Sequence, residues 1–157
     1  MTDVHSEKVR SQNMQAVRNM DTRPELLVRK SLFARGIRYR LNARNLLGKP
    51  DLVFPRYQAV IMVHGCFWHG NACHLFLLPS TRTAFWQQKI DSNKSTDIIA
   101  LEKLHAAGWR VAIVWECALK GRHKSALSLI TDQLASWLSD SRTPFLEIAG
   151  AESISRA

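Results

Sequence analysis

The sequence predicts a single α/β domain built on a mixed β-sheet. Apolar, β-prone runs at residues 59–63 and 111–115 are typical of strands that are buried on both faces. A helical period of apolar positions separates them over residues 82–107. Because 157 residues suit one hydrophobic core, we expect one domain over residues 1–157, with helices flanking the sheet.

The first elements are an arm, a helix and a short strand. Residues 1–20 are polar and basic with few apolar anchors, which indicates a loosely attached helix or arm. Thr22 is expected to cap a helix by accepting from the backbone N–H of Glu25, and Gly36 is expected to end that helix. After a Gly-Lys-Pro turn, Asp51 opens a short apolar strand.

The second half of the chain is a long helix, a strand and a final helix. In the long helix, spacings of three and four residues place one stripe on one face: Trp86, Ile90, Asn93, Asp97, Leu101 and Leu104. The strand at 111–115 follows, and the helical period returns over 126–137. The tail at 139–157 is ambiguous.

Composition and charge narrow the class of partner. Lysine and arginine exceed aspartate and glutamate by 22 to 13, and the net charge of +9 favours nucleic acid. No stretch approaches the roughly 20 apolar residues of a membrane span, and no signal-peptide pattern is present. An odd number of cysteines, three, favours a reduced cytoplasm.

Residues 64–74, HGCFWHGNACH, hold most of the unusual side chains. Half of the six histidines lie here, directly after a buried strand, together with two of the three cysteines. A lone histidine is usually a surface or hydrogen-bonded residue, but core packing does not require this concentration of titratable groups. The segment is predicted to be a long functional loop or a metal knuckle.

The cysteines predict a structural zinc site. If the strands at 59–63 and 111–115 are parallel neighbours, Cys66 and Cys117 emerge at the same end of the sheet, and a loop can bring Cys73 to them. Three thiolates and one nitrogen make a closed zinc set. His74 is available as the fourth ligand, although its adjacency to Cys73 strains the geometry. The alternative is three buried, reduced thiols.

Three carboxylates and two aromatics are further candidates. Asp51 lies at a sheet end, where it could bind Mg²⁺. Asp97 lies on the apolar stripe and needs a partner such as a histidine, either for catalysis or to tie the helix to a loop. Glu25 either completes the capping box or turns inward. Phe67 and Trp68 lie among polar ligands, which favours stacking on bases over core packing.

Together these residues resemble the very-short-patch-repair (Vsr) DNA mismatch endonucleases, over about residues 11–138. The resemblance rests on the following motifs: Asn13-Met14, GKPD at 48–51, HGCFWH at 64–69, Thr81-Arg82, Phe85-Trp86, Lys89-Ile90, GWRV at 108–111 and WEC at 115–117. It implies a restriction-endonuclease-like fold of the PD-(D/E)xK type. It also implies an enzyme that nicks duplex DNA on the 5′ side of the thymine in a T·G mismatch, which arises when 5-methylcytosine deaminates.

The resemblance implies a catalytic role for each of several residues by position. Asp51 would bind the catalytic Mg²⁺ with the backbone carbonyl of Val63, and His69 would be the general base. His64 would support the scissile phosphate or a metal-bound water. Glu25 and Asp97 would be auxiliary residues of the site.

DNA contacts and zinc ligands also follow from the resemblance. An aromatic wedge of Phe67, Trp68 and Trp86 would enter the duplex beside the mismatch, and Met14 on the arm would insert from the opposite groove. Structural zinc would be held by the three cysteines. The family usually has histidine near position 71 as the fourth ligand, but this chain has Asn71, so His74, a water or weak binding would take its place.

Two other functions fit the same residues. A restriction-type nuclease would cut both strands of matched DNA, and a zinc-stabilised DNA-binding module would bind without catalysis. The favoured prediction is a monomeric bacterial cytoplasmic enzyme that works alongside a cytosine-5 DNA methyltransferase and has no membrane partner.

Overall fold

The structure is a computed structural model that describes residues 22–41, 45–46, 48–71, 73, 76–121 and 124–150. These residues form an α/β domain around a mixed five-stranded sheet, so the predicted class is confirmed. Within this part of the chain, no helix is long and apolar enough to cross a membrane. The predicted arm at 1–20, with Met14, lies outside the described residues, as does His74.

The elements follow one another in the order that the periodicity predicts, and a few short helices and strands are present in addition. They are α1 (Arg23–Ala34), β1 (Arg40–Leu41), β2 (Leu52–Phe54), β3 (Ala59–His64), α2 (Thr83–Ala106), β4 (Arg110–Trp115), α3 (Glu116–Leu119), α4 (Leu127–Ser139) and β5 (Phe145–Ile148). A single 3₁₀ turn joins β2 to β3. The α1 start is as predicted, since the Thr22 hydroxyl accepts from the Glu25 N–H at 3.4 Å.

The sheet order β1-β2-β3-β4-β5 places the two apolar strands at its centre. β1, β2 and β3 are antiparallel neighbours, whereas β3, β4 and β5 are parallel. The β3–β4 register runs from Ala59 opposite Arg110 to His64 opposite Trp115. Both strands therefore end at the same edge of the sheet, as the cysteine argument requires.

Helices cover both faces of the sheet, which explains the nearly continuous apolar sequence of β3 and β4. On one face α1 and α4 supply Val28, Leu32, Ile130 and Leu134 to the core. On the other face α2 contributes Leu104, which belongs to a second cluster with Val60, Met62 and Val111. The central strands are thus sealed from water, and only their ends carry polar side chains.

Two strands were not predicted. The tail, ambiguous in sequence, contains β5, which pairs with β4 from Phe145 to Ile148. β1 is two residues long and exposed. Neither segment is long enough to show an alternation of apolar and polar residues, because a strand of four residues or fewer contains at most two repeats of that pattern. β4 supplies the pairing partner that orders β5.

The Arg110 side chain ties the sheet to the end of α4. It is buried, and its guanidinium donates to backbone carbonyl oxygens at 2.9–3.4 Å in five residues: Tyr57, Trp137, Leu138, Asp140 and Thr143. The same group lies over the Trp137 ring at 4.6 Å from its centroid. These hydrogen bonds are charge-assisted, and removal of the Arg110 guanidinium would leave several carbonyl oxygens without a donor.

Replacing this donor should be strongly destabilising. Arg110→Met keeps the length of the stem but removes every donor, so we expect the free energy of unfolding to fall by about 2–4 kcal/mol. Urea denaturation followed by tryptophan fluorescence measures the loss. Arg142→Met, at an exposed side chain, is the control and should change stability by less than about 0.5 kcal/mol. Equal effects of the two substitutions would contradict this role for Arg110.

Candidate active site and thiol cluster

The candidate site lies at the sheet edge where β3 and β4 end and β2 begins. Because β2 is antiparallel to β3, the residue before β2 lies beside the last residues of β3. Asp51 therefore meets Val63, and its Oδ2 accepts a hydrogen bond from the Val63 N–H at 2.7 Å. Within an extended strand the N–H and C=O of one residue point the same way, so the Val63 carbonyl also faces the Asp51 side.

Glu25 reaches the same place from the first turn of α1. It is 1% exposed, and its Oε2 accepts from Arg29 Nη1 at 3.0 Å, one turn along the helix. Its carboxyl also shares a hydrogen bond with Asp51. Of the two predictions made for Glu25, the inward orientation is therefore the one adopted.

Two adjacent carboxyl groups in a poorly solvated place perturb each other. Burial raises the pKa of Asp51 to about 7, against a partial lowering by the Val63 hydrogen bond, and the neighbouring Glu25 raises it further. Near neutral pH Asp51 is therefore partly protonated in the metal-free protein. A divalent cation would replace that proton, and one or two carboxylates are the ligands that Mg²⁺ prefers. The residues present fit such an ion.

The two histidines of the HGCFWH motif lie face to face. The rings of His64 and His69 are stacked with centroids 3.8 Å apart and planes 8° from parallel. His69 Nδ1 lies 2.5 Å from Asp97 Oδ2. His69 is therefore the histidine partner that was predicted for Asp97 from its position on the apolar stripe. Asp97 is partly exposed rather than buried, because the loop leaves one side of the pair open.

His64 is held in its neutral form. It is 7% exposed and packs edge-on against Trp115 at 5.2 Å between centroids. Burial lowers its pKa to about 3, and the neighbouring His69 lowers it further. His64 Nδ1 is a buried polar atom that makes no hydrogen bond to the described residues. Such an atom calls for an ordered water or a ligand group.

The ligand atoms of His64, His69 and Asp97 lie close enough for a metal, within 4.8 Å of one another. The stacking argues against this use. An imidazole nitrogen directs its lone pair within the ring plane, and two nearly parallel planes 3.8 Å apart do not meet at one ion. Acid–base chemistry, with Asp97 orienting His69, suits the arrangement better.

The loop after β3 is a tight turn that lies against α2. The His69 N–H bonds to Gly65 O at 3.2 Å, and Asn71 N–H bonds to Cys66 O at 2.9 Å. Gly70 has a φ of +66°, and a Cβ there would lie 2.6 Å from the Lys94 side chain and 2.8 Å from that of Ile90. Glycine is therefore required where the loop lies against α2.

Two residues that hold this loop were not predicted to do so. Asn93 Nδ2 donates to the Trp68 carbonyl at 2.9 Å, and Glu116 Oε1 accepts from the Cys66 N–H at 3.3 Å. Asn93 precedes Asp97 by four residues, one helical turn, so both polar members of the stripe contact the loop. The position of Asn93 and Asp97 on an otherwise apolar helix face was the sequence signal that could have identified both as loop contacts.

The aromatic residues form one cluster beside the site. Trp68 and Trp86 contact Phe67 with centroids 5.2 and 5.8 Å away, and Phe76 and Phe85 extend the cluster. Trp86 is 7% exposed and is the buried member of this cluster. It packs beneath Phe67 and Trp68 because it lies on the buried stripe of α2.

The three cysteines converge on the other side of the loop. Their sulfur atoms all lie within 4.8 Å of one another, and none forms a disulfide. Cys66 and Cys117 are buried and Cys73 is half-buried. The buried Asn71 donates through Nδ2 to Cys66 Sγ at 3.5 Å and to Cys117 Sγ at 3.4 Å. Three convergent thiols fit a soft cation such as Zn²⁺.

A cavity of about 530 Å³ lies between α2 and the β4–β5 half of the sheet. Both members of the His69–Asp97 pair line it, and most of its wall is apolar, formed by Ile98, Leu101 and Ile113 among others. The pair thus has an apolar wall on one side and the loop on the other.

Known proteins are similar to this chain over most of its length. The family model of DNA mismatch endonuclease Vsr matches residues 2–75. DNA mismatch endonuclease Vsr of Escherichia coli (strain K12) is 44% identical over 138 residues, 88% of each chain. The type II nicking enzyme V.XorIIP of Xanthomonas oryzae pv. oryzae is 47% identical over 119 residues, which cover 76% of this chain and 88% of that one.

A third relative is the type II nicking enzyme V.NmeAIP of Neisseria meningitidis. It is 43% identical over 122 residues, 78% of this chain and 87% of that one. Identity at this level over most of both chains reflects common descent with a common fold. The chain belongs to the Vsr family of DNA mismatch endonucleases.

Proposed function

We propose that the protein nicks one strand of duplex DNA on the 5′ side of the thymine in a T·G mismatch, by Mg²⁺-dependent hydrolysis. One observation carries the proposal. A carboxyl pair suited to a hard cation and an Asp97-oriented His69 meet at one sheet edge, joined through the adjacent residues Val63 and His64. Phosphodiester hydrolysis requires a cation on the developing charge and a base for the attacking water.

Asp51 and the Val63 carbonyl are the proposed Mg²⁺ ligands, with Glu25 as an auxiliary carboxylate. Bound Mg²⁺ would supply a Lewis acid for the scissile phosphate. Arg29 balances part of the negative charge that the two carboxylates bring. A Glu25–Asp51 pair at the edge of a mixed sheet also supports assignment of the fold to the restriction-endonuclease, PD-(D/E)xK type.

His69 is the proposed general base. With Nδ1–H donated to the Asp97 carboxylate, the lone pair of His69 is placed on Nε2, from which it can take a proton from water. Asp97 then stabilises the imidazolium that forms. The neutral His64 beside it adds no positive charge to oppose that protonation. Its Nδ1 is available to a phosphate oxygen or an ordered water.

Recognition is proposed to depend on the aromatic cluster and the positive charge. Phe67 and Trp68 would enter the duplex, Trp86 would support them from beneath, and Met14 of the arm would insert from the opposite groove. A mismatched pair stacks poorly, so separating it costs less of the few kcal/mol that unstacking a normal step requires. The net charge of +9 would supply salt-sensitive affinity for the backbone.

The thiol cluster is the proposed structural zinc site, in a zinc-knuckle loop held by Cys66, Cys73 and Cys117. Either His74 or a water would be the fourth ligand. The biological setting proposed is the bacterial cytoplasm, with a monomeric enzyme paired in function with a cytosine-5 methyltransferase. A restriction-type nuclease remains the second candidate, but several relatives bear the name of nicking enzymes, which favours cleavage of one strand.

Asp51→Asn should abolish nicking and stabilise the metal-free protein at high pH. The pKa of Asp51 lies near 7 in the folded protein, above its ordinary 3.8. The stabilisation from the bound proton is therefore fully present below pH 4 and is lost as the pH rises through 7. We expect the variant to exceed wild type by on the order of 2 kcal/mol in free energy of unfolding at pH 8 in EDTA, and by less at pH 4.

Urea denaturation at several pH values measures this difference. Added Mg²⁺ should reduce it, because only the wild-type protein gains binding energy from the ion. A difference that is the same at every pH would show that the Asp51 proton does not contribute to stability.

His69→Ala should lower the nicking rate by about 100-fold or more while leaving the affinity for mismatched duplex near that of wild type. Asp97→Asn should lower the rate by about 10- to 100-fold, because the amide orients the imidazole less well and cannot neutralise its charge. Single-turnover nicking and gel-shift titration measure the two quantities. Asp91→Asn, on an exposed face of the same helix, is the matched control, and undiminished nicking by His69→Ala would remove His69 from the mechanism.

Trp68→Ala should weaken binding to T·G duplex by about tenfold, and weaken binding to matched duplex much less, since the stacked ring is used only where bases separate. Phe33→Ala, at an exposed aromatic on α1, should change neither affinity. Fluorescence anisotropy with both duplexes at one salt concentration measures the ratio. An equal loss on the two duplexes would show that Trp68 is not part of a wedge.

A further inference from the structure

We propose that the zinc in this chain is held by only three protein ligands, Cys66, Cys73 and Cys117, and that an exchangeable small ligand such as water occupies the fourth position. The inference rests on the proposed zinc site and concerns its coordination. It follows from the side chain that the structure places against the sulfur atoms, the carboxamide of Asn71.

Asn71 is firmly held in this place. It is 2% exposed, its N–H donates to Cys66 O at 2.9 Å, and its carbonyl accepts from the Cys73 N–H at 2.9 Å. Its Nδ2 lies 3.5 Å from Cys66 Sγ and 3.4 Å from Cys117 Sγ. The same backbone turn that brings Cys66 and Cys73 together therefore points this amide at the cluster.

A carboxamide cannot act as the missing nitrogen ligand. Its nitrogen lone pair is delocalised into the carbonyl, so the NH₂ group only donates hydrogen bonds. Donation to sulfur, like that of the Gly150 N–H to Cys117 Sγ at 3.2 Å, stabilises the charge of a thiolate without binding the metal. Asn71 thus donates hydrogen bonds to the thiolates without binding the metal. Among the described residues the zinc has three ligands, one fewer than a closed tetrahedral set requires.

The cluster is also accessible to a small molecule. Cys66 and Cys117 are buried, but Cys73 keeps exposed surface, so water or a small ligand can approach from its side. A chelator can then bind the metal before any thiolate leaves. Metal release should therefore be faster than from a site closed by four protein ligands.

Two substitutions at position 71 test this directly. Asn71→Asp keeps the volume and replaces the amide with a carboxylate, which binds zinc, and Asn71→His supplies an imidazole. The full chain is loaded with one equivalent of zinc, and its transfer to a chromogenic chelator is followed in time. We expect each variant to release zinc about tenfold more slowly than wild type, or slower still.

A spectroscopic measurement on the wild-type protein avoids any effect of the substitutions on folding. With Co²⁺ in place of zinc, added imidazole should shift the visible bands of the wild-type protein by occupying the fourth position. It should leave the bands of Asn71→His unchanged. Both results together support a three-thiolate site.

Other outcomes overturn the inference in distinguishable ways. If imidazole leaves the wild-type Co²⁺ bands unchanged and His74→Ala accelerates zinc release, His74 is the fourth ligand and the site is closed. If the wild-type chain binds no stoichiometric zinc, or binds it equally well as Cys73→Ser, the proposed zinc site itself is wrong.

Discussion

Parallel pairing of β3 with β4 is the constraint on which the site depends. The two strands are sealed by helices on both faces, so polar side chains can lie only at their ends. Parallel pairing brings those ends to one edge, and the antiparallel β2 adds its own first residue there. The carboxyl pair, the stacked histidines and two of the cysteines are thereby placed within a few residues of one sheet edge.

This edge concentrates groups that oppose folding in the absence of ligands. Glu25 and Asp51 are neighbouring carboxyl groups in a poorly solvated place, and burial holds the pKa of His64 far below its ordinary value. Such an arrangement lowers the stability of the empty protein, and the proposed binding of a cation and DNA would compensate for that loss. Arg110 and the two apolar clusters supply stability elsewhere, at contacts that take no part in the chemistry.

α2 supports both the proposed wedge and the proposed base. Asn93 holds the carbonyl of Trp68 and Asp97 holds the ring of His69, one helical turn apart, while Gly70 allows the loop to lie directly on the helix. The proposed wedge and the proposed base are neighbours in sequence and are fixed by the same rigid support. A duplex that moves Trp68 would therefore also move His69. This coupling suits an enzyme whose cleavage depends on a mismatched base pair at the point where the wedge enters the DNA.

The elements with strong periodicity were predictable from the residues alone, because burial on both faces or along one stripe leaves a pattern over many positions. These elements are β3, β4, α1, α2 and α4. It also identified the candidate residues as chemically unusual, since cysteines and histidines are not needed for packing. Short β1 and β5 escaped prediction because strands of two and four residues carry too little pattern, and β5 exists through its pairing with β4.

Which of those residues contact each other depends on the tertiary structure. Whether Glu25 capped α1 or faced Asp51 depended on where the helix start lay relative to the sheet edge. The partner of Asp97, the burial of Trp86 and the contact of Asn71 with two sulfur atoms each join residues that lie 5 to 46 positions apart. The local sequence determines helix and strand propensity. Contacts between residues so far apart in the sequence form only when the sheet and helices pack against each other.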